Sequence, residues 1–372
     1  MAVELFVPTF AIDECLEGIR ECLERGWTGS GFKTIEFENA WKNYTGHATA
    51  HFLSSATAGL HLAVNILKEI HGWENGDEVI TTPLTFVSTN HAILYENLSP
   101  VFADVDEFLC LDPAEVEKRI GPRTRAVMFV GLGGNAGRFA EIKALCKARG
   151  LSLILDAAHM AGTRVDGAIP DADAVVYSFH AVKNLPTADS GMICFPDPEI
   201  DAIARRKAWL GISADTYSRN TGQSPGRWYY DVGDLGWKYH GNSIMAAIGL
   251  VGLRHLDEAN TRRREIAGWY LDALGGNSRI DCVPTAPGCL SAQHLFQVMV
   301  DRRDDVIQAM NRDGVSPGVH YRDNRDYALY AHVAGAAPRA RTAAGRLISL
   351  PLHLRLSRAD VDAVVLSLTR HV

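Results

Sequence analysis

The sequence predicts an α/β fold in which a large, mostly parallel sheet is followed by a smaller C-terminal α+β unit. Between about residues 55 and 195, short apolar segments alternate with segments of helical periodicity, which is typical of parallel sheets. Most of the apolar segments are continuous rather than alternating, as expected for strands covered on both faces. The 372 residues suit one large domain with a smaller companion. We expect the large domain at 1–250 and the small domain at 251–372.

Six strands and two intervening helices form the predicted sheet region. The strands are DEVITT from Asp77, PVFADV from Pro100, RAVMFV from Arg125, LSLILD from Leu151, AVVYS from Ala174 and GMICF from Gly191. The helices are ATAGLHLAVNILKEI and GRFAEIKALCKARG. The first helix carries apolar residues at helical spacing on one face: Leu60, Ala63, Val64, Leu67 and Ile70.

The chain after the predicted sheet follows a different pattern. A polar segment containing Gly and Ser, 211–235, is long for a structureless connection, so we interpret it as a functional loop. A long helical segment follows at 244–274. The remainder is predicted as the smaller unit, with LFQVMV as a strand and SRADVDAVVLSLTRH as a closing helix whose N-cap is Ser357.

Composition and charge exclude several classes of function. A net charge of -7 and a pI near 6.1 provide no basic surface for nucleic acid. No apolar run approaches the roughly 20 residues that span a bilayer, and the N-terminus has no signal-peptide pattern. The seven cysteines are scattered and form no CxxC pair, which predicts reduced thiols in the cytoplasm and no zinc, iron–sulfur or other metal site.

Polar side chains stand where predicted strands end, which is where ligands bind in open α/β sheets. Ser54, Ser55 and Thr57 precede a helix, and its N-terminus offers free N–H groups and a positive dipole end for a phosphate. Ordinary helix capping is the alternative interpretation. Ser178 ends another strand and is a second candidate phosphate ligand.

Three further candidates have a functional and a structural interpretation each. Asp156 ends a very apolar strand, so it either pairs with a buried cationic ring nitrogen or caps a helix. Phe86 follows a strand end and either stacks on a flat cofactor or belongs to the core. Lys183, in SFHAVKNLPTADSGMICF between two buried strands, is either a solvated surface lysine or a desolvated nucleophile and base of lowered pKa.

Taken together, these residues meet the needs of pyridoxal phosphate. This cofactor requires a Schiff-base lysine, an acid against its pyridine nitrogen, a ring sandwich and a phosphate cup. An aspartate keeps the pyridine nitrogen protonated, and the protonated ring withdraws electrons from a carbanion at the substrate carbon. We therefore expect a pyridoxal phosphate enzyme.

The sequence resembles the DegT/DnrJ/StrS family of sugar aminotransferases over nearly its whole length. The resemblance is clearest in SSATAGLHLAV, GDEVITTPLTFVSTNHAI, PVFADVD, LILDAAHMAGT, SFHAVKN, GWKYHGNSIMAAIGL, GVHY and LISLPLH. It implies the aspartate aminotransferase fold (fold type I) with pyridoxal 5'-phosphate as cofactor. The implied reaction moves an amino group from L-glutamate to a nucleotide-linked keto-sugar, giving an amino sugar for polysaccharide or secondary-metabolite biosynthesis.

The resemblance also implies roles for single residues around the cofactor. Lys183 would form the Schiff base, Asp156 would face the pyridine nitrogen, and His159 would lie near the ring. Phe86 would stack on the ring. The phosphate would be held by Ala56, Thr57 and Ser178.

Further residues are implied at the edges of the site. Lys238 takes the place of a polar residue that reaches the phosphate from the other subunit, which implies a homodimer with shared active sites. His320 and Tyr321 match a motif on the sugar-nucleotide side of the cleft. The segment ADTYSRNTGQ looks like the substrate loop of the subgroup that aminates UDP-4-keto-pentose. Glycines in VGLGGNAG replace a histidine that the family commonly has after the fourth strand.

Three alternatives remain open from the sequence. A sugar dehydratase of the same family would replace the lysine with histidine or carry an iron–sulfur cluster, and Lys183 and the scattered cysteines disfavour both. A non-catalytic cofactor-binding sensor would keep the fold without turnover. An amino acid aminotransferase would need a C-terminal arginine for the substrate carboxylate, and ARTAAGR and LHLRLSR supply candidates.

Overall fold

The computed structural model describes residues 2–213, 217, 230–333 and 335–372. The strands in these residues are β1 (His51–Leu53), β2 (Glu78–Thr81), β3 (Ser99–Phe102), β4 (Thr124–Val130), β5 (Ser152–Asp156), β6 (Arg164–Val165), β7 (Ala174–Ser178), β8 (Gly191–Cys194), β9 (Asp281–Cys282), β10 (Cys289–Leu290), β11 (Phe296–Met299) and β12 (Leu347–Leu350). The α-helices are α1 (Ile12–Glu24), α2 (Phe32–Thr45), α3 (Ala56–His71), α4 (Val87–Tyr95), α5 (Pro113–Arg119), α6 (Phe139–Arg149), α7 (Pro198–Ala208), α8 (Ser243–Arg254), α9 (Leu256–Leu274), α10 (Arg303–Arg312), α11 (Pro338–Arg346) and α12 (Arg358–His371).

The central sheet has seven strands in the order β1-β8-β7-β5-β4-β2-β3. Strand β8 runs antiparallel to β1 and β7, and the other neighbouring pairs are parallel. In the β4–β5 register Val130 pairs with Asp156, and in the β5–β7 register Asp156 pairs with Val176. The carboxyl ends of β4, β5 and β7 therefore meet at one edge, where ligands bind in this class of sheet.

The strands are buried on both faces, as their continuous apolar runs predict. Successive residues of β5 alternate between two apolar clusters, with Leu153 and Leu155 in one and Ile154 in the other. Helices α2 and α8 pack on the first face and helix α3 on the second. Because the side chains on both faces of the strands pack against apolar layers, the predicted α/β class is confirmed.

A second, antiparallel sheet in the order β12-β11-β9 lies in the C-terminal part of the chain. It has its own apolar cluster, to which α9, α10 and α12 contribute Tyr270, Met310 and Val364. Helix α8 instead packs on the large sheet through Ala246 and Leu250. The proposed division at residue 250 stays a prediction.

Several predicted elements differ in detail from the observed ones. The long helical segment divides into α8 and α9 at His255, and Ile70 at the end of α3 is 43% exposed rather than buried. Strand β1 was not predicted, because three residues are too short for a pattern. The closing helix begins as predicted, since Ser357 accepts a hydrogen bond from the Asp360 N–H.

The cysteines form no disulfide bonds, and all seven are free thiols. Among the described residues, no helix combines the length and apolar character that crossing a membrane requires. Most of the predicted loop at 211–235 lies outside the described residues.

The close approach of α3 to the sheet depends on a glycine in β8. A Cβ atom at Gly191 would stand 2.6 Å from the backbone nitrogen of Ala56 and 2.7 Å from the carbonyl carbon of Ser55. Both neighbours are backbone atoms, which cannot rotate away as a side chain can. Gly191 therefore allows the N-terminus of α3 to lie against the edge where β7 ends.

We expect Gly191→Ala to destabilise the protein by about 1–3 kcal/mol, because the added methyl forces this backbone contact apart. The matched control is Gly268→Ala in the middle of α9, where a Cβ meets no atom within 4 Å. That change should stabilise the protein by about 0.5–1 kcal/mol through helix propensity. Urea unfolding of both variants checks the prediction, and equal midpoints would contradict it.

Candidate functional site

The carboxyl ends of β4, β5 and β7 line a cavity of about 460 Å³. Nine of the ten residues to which the family resemblance assigns a role line this cavity: Ala56, Thr57, Phe86, Asp156, His159, Ser178, Lys183, His320 and Tyr321. They come from points of the chain up to 265 residues apart, since the first is Ala56 and the last Tyr321. The tenth, Lys238, is not among the residues that line it.

Lys183 is a cavity residue and not a solvated surface lysine. It lies in the turn after β7, where its N–H donates to the carbonyl of His180 at 2.8 Å. In the described part of the chain its amine has no ion pair or hydrogen bond. Burial lowers the pKa of Lys183 to about 8, and the nearby charge of Asp156 opposes this shift. A substantial fraction of the amine is therefore unprotonated and nucleophilic near neutral pH.

Asp156 ends β5 as a buried carboxylate that is 4% exposed. Its Oδ2 accepts a hydrogen bond from Thr89 Oγ1 at 2.7 Å, and its Oδ1 accepts one from the Ala158 N–H at 3.1 Å. Thr89 is itself 2.8 Å from Thr85 Oγ1, so the two hydroxyls form a chain that ends on the carboxylate. Burial raises the pKa of Asp156, and these hydrogen bonds oppose that rise. Asp156 is the last residue of β5 and is not the N-cap of a helix.

The opposite end of the cavity has the features of an anion site. Ser55 is the N-cap of α3, and its side chain accepts from the Ala58 N–H. In the described residues no acceptor bonds the N–H groups of Ala56 and Thr57, which are donors at a positive helix end. Ser178 lies beside them at the end of β7 and is 6% exposed. The capping interpretation of SSAT therefore holds for Ser55, while Ala56 and Thr57 line the cavity and their binding of a phosphate stays a prediction.

His159 has one defined tautomer. Its Nδ1 accepts the N–H of Gly133 at 3.1 Å, and its Nε2 lies 3.1 Å from Tyr321 Oη. Because Nδ1 accepts, Nε2 carries the proton and donates to Tyr321, which leaves the tyrosine O–H for another acceptor. Burial lowers the pKa of His159 well below its ordinary value and raises that of Tyr321. Both side chains are therefore neutral at physiological pH.

The remaining predicted residues border the mouth of the cavity. Phe86 is 56% exposed, which excludes a core role, and its ring lies 5.8 Å from that of Tyr321. His320 Nδ1 is 2.9 Å from Ser349 Oγ, and burial lowers the pKa of His320 to about 4. The exposed face of Phe86 is thus available to a flat ligand in the cavity.

Residues 11–369 match the sequence model of the DegT/DnrJ/EryC1/StrS aminotransferase family. The chain belongs to this family. Solved structures agree over the whole length: aminotransferase TlmJ from Streptoalloteichus hindustanus is 33% identical, with 100% of this chain and 99% of that chain covered and a TM-score of 0.91. Sugar aminotransferase CalS13 from Micromonospora echinospora is 27% identical, with 99% of each chain covered and a TM-score of 0.90. The PMP-form of Spr1654 from Streptococcus pneumoniae is 25% identical, with 100% and 97% covered and a TM-score of 0.89.

Members of the DegT/DnrJ/EryC1/StrS family depend on pyridoxal phosphate, and this sugar aminotransferase has a cavity that fits the cofactor. The buried Asp156 carboxylate has no bonded cation in the described residues, which suits a protonated ring nitrogen. The N–H groups of Ala56 and Thr57 suit a phosphate. The amine of Lys183 suits a Schiff base with an aldehyde.

The glycines that replace a common family histidine have a structural role here. Gly133 has a φ of 67°, a left-handed conformation that glycine adopts without strain. In this conformation its N–H points at His159 and selects the tautomer. This contact could not be predicted from VGLGGNAG, because a hydrogen bond between two distant loops leaves no pattern in either segment.

Several residues in or beside the cavity were not predicted. Among them are Phe6, His294 and Asp189, which line the cavity, and Thr89, which holds Asp156. The His294 ring stacks on Phe6 at 5.6 Å and lies 4.4 Å from His159. Thr89 lies in the first turn of α4 and Thr85 just before that helix, and no pattern in the sequence indicated that their hydroxyls meet.

Lys238 lies outside the cavity of its own chain. Its Nζ is 3.4 Å from the centroid of the Trp209 ring, a cation–π contact. The predicted contact with a partner's phosphate needs a second chain, so the role of Lys238 stays a prediction. The predicted substrate loop ADTYSRNTGQ lies outside the described residues except for Tyr217.

No arginine in the described chain lines the catalytic cavity. The C-terminal candidates pair elsewhere: Arg341 with Asp323, Arg346 with Asp281 and Arg358 with Asp362. Arg355 is exposed. The structure therefore offers no support, within one chain, for the arginine that an amino acid aminotransferase would need.

We expect the amine of Lys183 to titrate near pH 8 in the cofactor-free protein. Labelling by an amine-reactive reagent should rise through pH 8, because only the neutral amine reacts, with exposed Lys118 as the internal reference. In Asp156→Asn the midpoint should fall, because the lost negative charge favoured the ammonium form. Peptide mass spectrometry measures both midpoints, and a Lys183 midpoint at about 10.4, the ordinary lysine value, would contradict the burial argument.

Proposed function

We propose that this aminotransferase moves an amino group from L-glutamate to a nucleotide-linked keto-sugar. The product is a nucleotide-linked amino sugar for polysaccharide or secondary-metabolite biosynthesis. The observation that carries the proposal is the location of the unpaired Lys183 amine and the buried Asp156 carboxylate in one cavity. Membership of a sugar aminotransferase family supports a sugar acceptor. The seven free thiols suit a reducing compartment, the cytoplasm.

Lys183 is the proposed catalytic base and acid. Its pKa of about 8 is close to working pH, where proton transfer in both directions is efficient. Pyridoxal phosphate supplies a ring that withdraws electrons from the substrate carbon losing its proton. Lys183 Nζ would take that proton from the α-carbon of glutamate and pass it to the cofactor, and in the second half-reaction it would move a proton from the cofactor to the sugar carbon.

The other cavity residues would stabilise the charge of the cofactor ring and orient the reacting groups. Asp156 would hold the protonated ring nitrogen, and Thr89 and Ala158 hold its carboxylate in place. His159 is a poor base, because its Nδ1 already accepts the Gly133 N–H and burial depresses its pKa. Proton transfer therefore depends on Lys183. The free O–H of Tyr321 is available to a substrate oxygen.

The sugar and its nucleotide are proposed to enter beside His320 and Tyr321, and the phosphate of the cofactor to receive Lys238 from a second subunit. This arrangement requires a homodimer with shared active sites. Helix α1 supports an association surface, because the exposed Ile12, Leu16 and Leu23 share one face of that helix.

Adding glutamate to the purified protein should convert the absorbance band of bound pyridoxal phosphate into that of pyridoxamine phosphate. Lys183→Ala should lower the rate by about 10³-fold or more, because it removes the base, yet should still bind pyridoxamine phosphate. Asp156→Asn should retain the cofactor and react about 10–100-fold more slowly, since a charged hydrogen bond is lost. Asp171→Asn, at an exposed carboxylate, is the matched control.

The same spectrum separates the alternatives. A bound cofactor that glutamate does not alter would favour a dehydratase, a sensor or another amino donor. Full activity in Lys183→Ala would overturn the assignment of the base, and an unchanged rate in Asp156→Asn would overturn that of the acid.

Mixing two inactive variants tests the shared site. If Lys238 contributes to the partner's site, a hybrid of Lys183→Ala and Lys238→Met subunits contains one site with both changes and one with neither. The mixture should then recover up to about half of the wild-type activity per hybrid dimer. The mixture should remain inactive if both residues act within one chain, and that result would disprove the shared site.

A further inference from the structure

A second cavity, of about 390 Å³, borders the residue that follows Lys183 in the chain. Asn184 lines this second cavity, and its Oδ1 is 3.0 Å from Nδ1 of His294, which lines the catalytic cavity. The two cavities share no lining residue. The second cavity is therefore a separate space that nothing in the proposed reaction uses.

The walls of this second cavity are mostly apolar. They are built by the N-terminal segment, the turn after Lys183 and helices α8 and α9, with Phe10, Pro186, Ile248, Val251 and Leu354 among them. Its size lies within the range of small-molecule sites, about 300–1,000 Å³. Such a lining suits a ligand with an apolar body.

Arg263 is the cation of this cavity that lacks a counter-ion. In the described residues it makes one hydrogen bond, a long one of 3.4 Å to Asn260 Oδ1, and no ion pair. The neighbouring Arg262 differs, since it pairs with Glu265 at 2.6 Å. Burial lowers the pKa of Arg263 to about 10, so the guanidinium remains charged at neutral pH. A desolvated cation without a partner is costly, and a bound anion would remove that cost.

The other charged groups of the cavity restrict the anion. His255 lines the cavity and is paired with Glu14 at 3.1 Å, and exposed Glu258 lines it as well. These carboxylates repel a multiply charged ligand such as a phosphate ester. One unpaired guanidinium, with its planar fork of donors, suits a single carboxylate.

We propose that this cavity is a binding site for a small monocarboxylate with an apolar body, whose carboxylate pairs with Arg263. Asn260 Oδ1 accepts from both Arg263 and Asn184, at 3.4 and 2.8 Å. Arg263 is therefore two hydrogen bonds away from Asn184, the residue next to Lys183. The site does not depend on the proposed reaction, because it contains no residue assigned to it.

Calorimetry with 4-phenylbutyrate tests the site on the full chain without added cofactor or glutamate. We expect the carboxylate to bind about 10–100-fold more tightly than 4-phenylbutan-1-ol or 4-phenylbutylamine, as a charge-assisted pair predicts. Equal binding of the three compounds to the unaltered protein would overturn the proposal without any variant. A failure of the proposed aminotransferase function would leave this result unaffected.

Two variants locate the interaction. Arg263→Met should remove the preference for the carboxylate, and Ala259→Phe should remove binding altogether by filling the cavity, since Ala259 lines it from α9. Arg302→Met, at an arginine whose side chain is 76% exposed, is the matched control and should bind as the unaltered protein does. Retained preference in a folded Arg263→Met protein would overturn the proposal.

Hydrogen exchange checks the place of binding in the unaltered protein. We expect 4-phenylbutyrate to protect α8, α9 and the turn at 184–187 from exchange. Protection confined to segments around the catalytic cavity would show that the compound binds there instead, and would overturn the proposal.

Discussion

The buried carboxylate of Asp156 is the constraint on which the rest of the site depends. A charged group that is 4% exposed is stable only if hydrogen bonds and an opposite charge replace the lost water. Thr89 and Ala158 supply the hydrogen bonds, and they belong to α4 and to the turn after β5. The two segments are thereby held at the edge of the sheet, with Lys183 on the next strand connection. A positive charge would complete the arrangement, and under the proposed function a protonated ring nitrogen would supply it.

The histidines around the cavity limit where charge can appear. Burial depresses the pKa values of His159, His294 and His320, so all three remain neutral. His159 is further fixed by the Gly133 N–H, and the Nδ1 of His294 can donate only to Asn184 Oδ1, because the Asn184 amide group already donates twice. These three histidines therefore add no charge to the cavity, whose lining also includes Lys183, Asp156, His180 and the exposed Asp189. The base Lys183 and the acid Asp156 are thereby distinct from the neutral histidines.

One short backbone segment forms part of the wall of both cavities. The turn after β7 presents Lys183 to the catalytic cavity and Asn184 to the neighbouring one. These consecutive residues line different cavities, so one short segment forms a wall of each space. A ligand held by Arg263 would stabilise that wall through Asn260 and Asn184.

The sequence by itself determined the α/β class, the positions of most strands and the cavity residues at strand ends, Thr57, Phe86, Asp156, Ser178 and Lys183, whereas Ala56, His159, His320 and Tyr321 were implied by the family resemblance. The features taken from the sequence pattern are local, because continuous apolar runs mark doubly covered strands and residues at strand ends mark the binding edge. The interpretation of each residue was decided only by the tertiary structure. Phe86 is exposed to the cavity rather than buried, and Ser55 caps α3 while its neighbours face the cavity. Only the tertiary structure shows the contacts of Gly133, Thr89 and His294 and the missing counter-ion of Arg263. These features depend on segments that are distant in the sequence, and such long-range geometry leaves no periodic signal in it.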